Sequence, residues 1–192
     1  MLYGSTVNQP YRILAIDPGT DTLGVSIFDV DLVNGTKTLL TAFTFQASKY
    51  IDTLLDNNQW NYQDEKYLRL HRHGEHLYGL LLQYRPHLVC HESAFMGRFP
   101  KAYQGLVECL LTLKLATQRY SPFLPFIGIT PMEVKHYIGG VKKDEVLNAV
   151  SNITDLINLQ QILPTLDEHA VDSIAIGYTV ANQLLSSFSW NI

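Results

Sequence analysis

The first third of the chain carries short apolar runs bounded by polar turns. Runs rich in Ile, Val, Leu, Thr and Phe predict β-strands at Arg12–Asp17, Leu23–Val30 and Lys37–Phe45. An Asn-Gly pair at 34–35 separates the second run from the third and predicts a hairpin. We therefore expect a three-stranded antiparallel meander that follows a loose polar tail at residues 1–10.

The rest of the pattern is mainly helical. Residues 46–63 are polar and predict a loop, and the helix after it, over residues 64–84, should end before Pro86, because the residue before a proline disfavours helical geometry. The remaining predicted elements are a strand at Leu88–Glu92, a helix at Lys101–Arg119, a strand at Phe123–Ile129, a helix beginning at Thr130 and a final helix from Thr165 to about Leu185. The starts at Thr130 and Thr165 both have a Glu three residues later, which is typical of a capping box.

This order of elements predicts an α/β fold. The meander, joined to parallel strands by βαβ crossovers, should form a mixed five-stranded sheet flanked by helices. Because the chain has no internal repeat or long linker, we expect a single domain over residues 11–192.

The helix predicted at Lys101–Arg119 is apolar on two sides. A helix that packs only on its own sheet needs one apolar stripe, so the second predicts a subunit interface, most simply a homodimer. The alternative is a helix buried on both sides within its own fold. The stripes consist of Leu106, Leu110 and Leu113, and of Tyr103, Val107, Leu111 and Leu115.

Composition indicates a globular protein. The 192 residues are 46% hydrophobic and 17% charged, which excludes a disordered chain. No apolar run is long enough to span a bilayer, and no secretory signal is evident. Two unpaired cysteines, Cys90 and Cys109, favour a reducing compartment, so we expect a cytoplasmic location.

The net charge of −4 is unevenly distributed. Residues 98–143 hold seven basic and two acidic side chains, whereas residues 144–192 hold six acidic and no basic ones. A basic middle segment could track a phosphate backbone, or it could be ordinary scatter of surface charge. Charge alone does not decide between these interpretations.

Acidic residues stand at the ends of two predicted strands. Asp17 follows Ile13 and Ala15 on one strand face, and Glu92 ends the fourth strand in the same way. If a right-handed crossover sets these strands side by side, the two carboxylates come within reach of a shared metal ion. The alternative for Asp17 is an ordinary Asp-Pro-Gly turn.

The last helix adds His169 and Asp172, which lie three residues apart on one helix face. Together with Asp17 and Glu92 they offer hard oxygen ligands and one imidazole, which suit Mg²⁺ or Mn²⁺ better than zinc. Two such ions could activate water and stabilise the leaving oxygen in phosphodiester cleavage. The alternative for the helical pair is a solvated edge.

A histidine cluster, His71, His73 and His76, lies in the helix predicted over residues 64–84. His73 and His76 could share a helix face, but no third ligand accompanies them. We therefore expect a solvated or phosphate-facing surface and no metal site there.

Four stretches, taken in order, resemble the RuvC family of Holliday junction resolvases in the RNase H-like superfamily. They are Ile16-Asp17-Pro18-Gly19-Thr20 with Gly24; His91-Glu92-Ser93-Ala94-Phe95-Met96; Val134-Lys135 followed by Gly139-Gly140 and Lys142-Lys143; and His169-Ala170-Val171-Asp172-Ser173-Ile174-Ala175. The resemblance implies a dimeric endonuclease of DNA recombination and repair that nicks two opposed strands of a four-way junction. It also implies Mg²⁺ or Mn²⁺ as cofactor, with two ions in each active site.

The resemblance also implies roles for single residues. Asp17, Glu92 and Asp172 match the family's metal-binding carboxylates. His169 stands where many relatives have a fourth Asp, so it is either a ligand or a proton-transfer group. The residues expected to contact DNA are Lys135, Lys142, Lys143, Arg98, Lys101 and Phe95, the last at the family's aromatic position that probes the unstacked junction centre.

Some features depart from the family's compact bacterial pattern, namely the leader, the polar insert at 46–63 and the acidic net charge. They indicate a phage or mobile-element version, acting in a bacterial or virus-infected host cell. Two alternatives stay open, a broader branched-DNA debranching nuclease and a catalytically silent junction-binding protein. A two-domain sugar-kinase or actin-type ATPase is disfavoured by length, and a proofreading exonuclease by Gly19, where it would need an acid.

Overall fold

The computed structural model describes residues 9–51, 64–94, 96, 99–139 and 145–188. The strands are β1 (Tyr11–Pro18), β2 (Thr22–Val30), β3 (Lys37–Gln46), β4 (Leu88–Glu92), β5 (Phe126–Ile129) and β6 (Leu156–Ile157). The α-helices are α1 (Glu65–Tyr84), α2 (Pro100–Tyr120), α3 (Pro131–Ile138), α4 (Val146–Ser151), α5 (Leu159–Ile162) and α6 (Glu168–Phe188). The predicted tail and most of the predicted loop at 46–63 fall outside the described residues. The start of that loop is a 3-10 turn at Ala47–Tyr50.

Within the described ranges, one mixed sheet has the strand order β5-β4-β1-β2-β3-β6. The antiparallel meander and the parallel strands β4 and β5 confirm the predicted fold class. The predicted count of five strands is wrong, because β6 pairs in parallel with the start of β3 at Lys37 and Thr38. Two residues are too few to produce an alternating pattern, so this strand has no sequence signal.

Backbone hydrogen bonds locate two turns. The hairpin between β2 and β3 closes where Gly35 adopts a φ of 71° and donates to the carbonyl of Asp31, which confirms the hairpin prediction. β5 begins at Phe126 and not at the predicted Phe123, because Leu124 donates back to the carbonyl of Ser121 in a turn. Phe123 is left 91% exposed on that turn.

Strand alternation divides the core into two layers. Ile13 and Ala15 of β1 pack on the side of α6, whereas Leu14 and Ile16 pack on the side of α1 and α2. Asp17 continues the α6-side series by parity, so the end of β1 points its carboxylate toward that helix. None of the described helices is long and apolar enough to cross a membrane.

The two predicted helix caps had different outcomes. At α3 the Thr130 side chain accepts from the Glu133 backbone and Glu133 binds back, which confirms the capping box. At α6 the predicted cap is wrong, because the Thr165 hydroxyl donates to the carbonyl of Ile162 within a preceding 3-10 turn. Asp167 accepts the backbone N–H of Ala170 instead, so the capping residue lies two positions after the expected Thr165.

Helix α2 has an outward apolar face. Its inner side buries Gly105, Cys109 and Leu113 against the sheet and α1. The predicted second stripe is largely exposed, and its members are Val107 (40%), Leu111 (56%) and Leu115 (56%), with Tyr103 half-buried. This exposure leaves the predicted subunit interface available.

The histidines of α1 are not a solvated surface, so that expectation is wrong. His73 is fully buried, and its ring meets Phe45 edge-on with centroids 5.8 Å apart. His76 stacks on the same ring at 3.9 Å. Burial lowers the pKa of His73 to about 4, more strongly than the charge of nearby Asp21 raises it.

The buried His73 should make the free energy of unfolding depend on pH. Its pKa falls from an ordinary 6.5 to about 4, so the unfolded chain binds the proton more tightly. The contribution is intact above about pH 7 and is lost between pH 6.5 and 4, with a magnitude on the order of 3 kcal/mol. Urea denaturation at pH 7.5, 6, 5 and 4 measures this loss, which His73→Phe should reduce. The exposed His136→Gln is the control, and an equal pH dependence in His73→Phe would contradict the assignment.

Candidate active site

Two carboxylates meet at the carboxyl ends of neighbouring parallel strands. Ile16 of β1 is in register with His91 of β4, so the next residue on each strand is an acid, Asp17 or Glu92. The preceding residues of the same parity, Ala15 and Cys90, lie in the core on the α6 side. The crossover expected from sequence therefore brings Asp17 and Glu92 to one edge of the sheet.

The start of α6 lies directly on the β1–β2 pair. Gly24 stands opposite Asp17 in the register, and a Cβ on Gly24 would collide with the carbonyl of His169. The absence of a side chain at this position lets the first turn of α6 approach the strand ends. His169 and Asp172 are thereby brought beside the two strand-end carboxylates.

These side chains line one cavity of about 300 Å³. Its walls come from β1, β4, α3, α4 and α6, and its polar members include both strand-end acids and the predicted basic residue Lys135. The polar residues on its lining are Asp17, Glu92, Lys135, Glu168, His169 and Asp172. The structure thus brings all four predicted site residues together around a single space.

His169 is held between two oxygen atoms. Its Nδ1 lies 3.0 Å from Oδ2 of Asp17, and its Nε2 lies 3.1 Å from the hydroxyl of Thr22. The Asp17 side chain is only 14% exposed, whereas that of His169 is 34% exposed. Beside them, Asp167 accepts from the Thr44 hydroxyl of β3, which fastens the helix start to the sheet from the other side.

The cavity suits a divalent ion in the chemistry of its donors. The four carboxylates on its lining are the hard oxygen ligands that Mg²⁺ and Mn²⁺ prefer. Among the described residues, no three His, Cys, Asp or Glu side chains already form a complete coordination group. Mg²⁺ retains several waters and takes one or two carboxylates together with substrate phosphate oxygens, so an incomplete protein cage is compatible with it.

Two further titratable residues near the site do not enter the cavity. His91 points to the other face of the sheet, where Nδ1 meets the carbonyl of Glu92 at 2.9 Å, and burial lowers its pKa. Cys109 donates to the carbonyl of Gly19, and burial together with the charge of Asp17 raises the pKa of its thiol to about 12. Both stay neutral at physiological pH and serve packing.

The structure describes two of the six predicted DNA-contacting residues. Lys135 lies on the cavity wall, in the last turn of α3. Lys101 is exposed in the first turn of α2. The other four, Phe95, Arg98, Lys142 and Lys143, lie outside the described residues.

Sequence reasoning missed two residues of the site. Glu168 lines the cavity with a side chain that is 80% exposed, although its position before His169 was a visible signal. Thr22 reaches His169 across 147 residues of chain, so no local pattern could have revealed it.

Comparisons with known proteins agree with this fold. The chain is 26% identical over 178 residues to the crossover junction endodeoxyribonuclease RuvC of Syntrophomonas wolfei, and the match covers 92% of each sequence. Thermus thermophilus RuvC, solved in complex with Holliday junction substrate, superposes with a TM-score of 0.67 at 21% identity over 92% of this chain and 95% of that one. The resemblance to the RuvC family is confirmed.

The likeness to RuvC extends across nearly the whole chain. The yeast mitochondrial Holliday junction resolvase Ydc2 gives a TM-score of 0.66 at 14% identity, covering 95% of this chain and 83% of that one. No protein-family model matches the chain. The RuvC-like fold therefore persists where sequence identity is low.

Gly24→Ala tests the contact between α6 and the strands. The added methyl group would collide with backbone at His169, so the helix start must shift, and we expect a loss of about 1–3 kcal/mol in the free energy of unfolding. Urea denaturation measures the loss. The matched control is Gly79→Ala on α1, where a Cβ meets nothing within 4 Å and the helix should be unchanged or more stable. Equal stability of the two variants would refute the close approach.

Proposed function

We propose that this protein is a divalent-metal-dependent endonuclease that resolves four-way DNA junctions by paired phosphodiester hydrolysis. The observation that carries the proposal is the joining of Asp17, Glu92, His169 and Asp172 around one cavity, in a chain that resembles RuvC over nine-tenths of its length. Such a cluster of acids is costly to bring together unless a cation or polar partners compensate their charges.

In the proposed mechanism, Asp17, Glu92 and Asp172 would hold Mg²⁺ or Mn²⁺, with two ions in each site. When bound, the ions supply an activated water and stabilise the charge that develops on the leaving oxygen. The protein's own part is to fix the direction of the carboxylates. Before an ion binds, His169 does this for Asp17 through the 3.0 Å contact of its Nδ1.

Basic side chains at the cavity would hold the DNA backbone. Lys135 lines the same cavity as the carboxylates, so its side chain could contact a backbone phosphate bound there. Lys101 is exposed in the first turn of α2, the helix that follows β4 in the chain. Phe95, Arg98, Lys142 and Lys143 stay predicted contacts, with Phe95 stacking on unpaired bases.

A second copy of the chain would complete the activity, because resolution needs two opposed cuts. The exposed stripe of α2 offers an apolar surface, and a two-fold axis across it would pair identical stripes. Two active sites held at a fixed separation could then act on opposed strands of one junction.

Two alternative functions make different demands on the same site. A broader debranching nuclease would use the same metal chemistry with less selectivity for four arms. A silent junction-binding protein would keep the basic residues but lack hydrolysis. The acids lining the cavity favour an active nuclease over the silent alternative.

Asp17→Asn should abolish cleavage while leaving junction binding largely intact. The substitution keeps the size of the side chain but removes the negative charge that would bind the ions. The measurement gives purified wild type and variant a labelled four-way junction, a three-way junction and a linear duplex with Mg²⁺ or Mn²⁺. Asp31→Asn, at the exposed hairpin, is the matched control and should cut like wild type.

The products separate the candidate functions. Paired symmetric nicks confined to the four-way junction are expected of a resolvase. Cleavage of all branched forms would favour the debranching nuclease, and binding without cleavage in either metal would favour the silent protein. Cutting by Asp17→Asn would refute the metal-site assignment.

Leu111→Glu should convert a dimer to a monomer. Leu111 is 56% exposed in the middle of the α2 stripe, so the charge would be buried in the proposed interface but solvated in a single chain. Sedimentation equilibrium measures the mass, and paired cutting should fall with it. Leu82→Glu on α1, where the leucine is 52% exposed, is the matched control. A wild type that sediments as a monomer, or a dimeric Leu111→Glu, would place any interface elsewhere.

A further inference from the structure

The imidazole of His169 is engaged at both of its nitrogen atoms. Nδ1 is 3.0 Å from Oδ2 of Asp17, and Nε2 is 3.1 Å from the Thr22 hydroxyl. Bonds at two separate ring atoms fix both the rotation and the plane of the ring. The position of Asp17 relative to His169 therefore depends on Thr22, a residue of β2 that does not line the cavity.

Thr22 can serve either protonation pattern of a neutral ring. An ionised carboxylate only accepts hydrogen bonds, so Nδ1 donates to Asp17 and Nε2 accepts from the Thr22 hydroxyl in the arrangement seen. If Nδ1 uses its lone pair to bind a metal ion, the proton resides on Nε2. The same hydroxyl can then rotate and accept a hydrogen bond from Nε2. Valine, which has almost the same shape, can do neither.

The spacing of His169 and Asp17 matches a pair of adjacent metal ligands. Neighbouring ligands around an octahedral Mg²⁺, each about 2.1 Å from the ion, are roughly 3.0 Å apart. Nδ1 and Oδ2 are 3.0 Å apart, which is also an ordinary hydrogen-bond distance, so a single ion could replace the proton between them with little movement of either side chain. A histidine that binds a metal through one nitrogen generally donates its other N–H to a nearby oxygen. Thr22 supplies an oxygen at that place.

We propose that Thr22 is the positioning residue of the metal centre, holding His169 so that Nδ1 and the Asp17 carboxylate together bind a divalent ion. This inference rests on the proposed function, since it assumes that the cavity takes Mg²⁺ or Mn²⁺. It assigns His169 the role of ligand and not of proton-transfer group. Thr22 contacts neither ion nor DNA and acts only through the ring.

The test measures Mn²⁺ affinity of the whole protein without DNA, by electron paramagnetic resonance of the free ion. Thr22→Val should weaken binding about 10- to 100-fold, the usual effect of losing a partner that orients a metal-binding histidine. Thr22→Ser should stay within about threefold of wild type, because its hydroxyl has the same hydrogen-bonding capacity. Thr38→Val, at the far end of β3, is the matched control.

A double-mutant cycle separates positioning from a general structural effect. In a His169→Ala background, Thr22→Val should cause no further loss of Mn²⁺ affinity, because there is no ring left to hold. A similar loss with and without His169 would overturn the proposal, as would wild-type affinity in Thr22→Val. Wild type that binds Mn²⁺ no better than Asp17→Asn would overturn both this proposal and the proposed metal site.

A measurement on the wild-type protein keeps the inference testable if Thr22→Val does not fold. The ¹⁵N chemical shifts of the His169 ring report which nitrogen carries the proton. Without metal, Nδ1 should be protonated. With saturating Mg²⁺, Nδ1 should lose its proton and Nε2 should gain one. A ring that keeps its proton on Nδ1 in the presence of bound Mg²⁺ would refute the ligand role while leaving the metal site in place.

Discussion

The close approach of α6 to the β1–β2 pair is the contact on which the site depends. At Gly24 the backbone of His169 occupies the space that any side chain would fill. α6 also approaches β2 closely at Gly177, where a Cβ would collide with the ring of Phe28. These two close contacts, each made possible by a glycine, fix the distance between α6 and the sheet. That distance decides whether Asp172 and His169 reach the strand-end acids.

The carboxyl-terminal part of α6 is held by contacts with a buried lysine. Lys37 is 4% exposed, and its ammonium group binds Asp155 at 2.6 Å and the Asn182 side chain at 2.8 Å, beneath the ring of Tyr178. A buried ammonium group is tolerated only with such partners. Since Asn182 and Tyr178 belong to α6, this network ties the helix to β3 at the end opposite the cavity.

The sequence predicted the elements that have strong periodic signals and the acids that end them. The alternation of side chains along β1 and β4 was enough to place Asp17 and Glu92 on one face of the sheet. The face that a strand residue occupies depends only on its position within its own strand. It could not reveal β6, whose two residues pair with Lys37 only in the folded chain. Nor could it reveal Thr22, or the burial of His73 against Phe45, because both depend on contacts between distant segments. The misplaced cap at Thr165 has the same origin, since the Thr44 hydroxyl from the distant strand β3 donates to Asp167, the residue that caps α6 instead.

The acidic net charge does not argue against a polyanionic substrate once the acids are located. Asp155 is compensated by Lys37, and Asp167 is bonded to Thr44 and to the first turn of α6. Those bonds hold the pKa of each carboxyl below its usual range against the opposing effect of burial. Glu168 and Asp172 face the cavity, where a bound cation would change the local electrostatic potential from negative to positive. The acids located here therefore serve as internal anchors or as candidate ligands, and Lys135 adds a basic side chain to the lining of the same cavity.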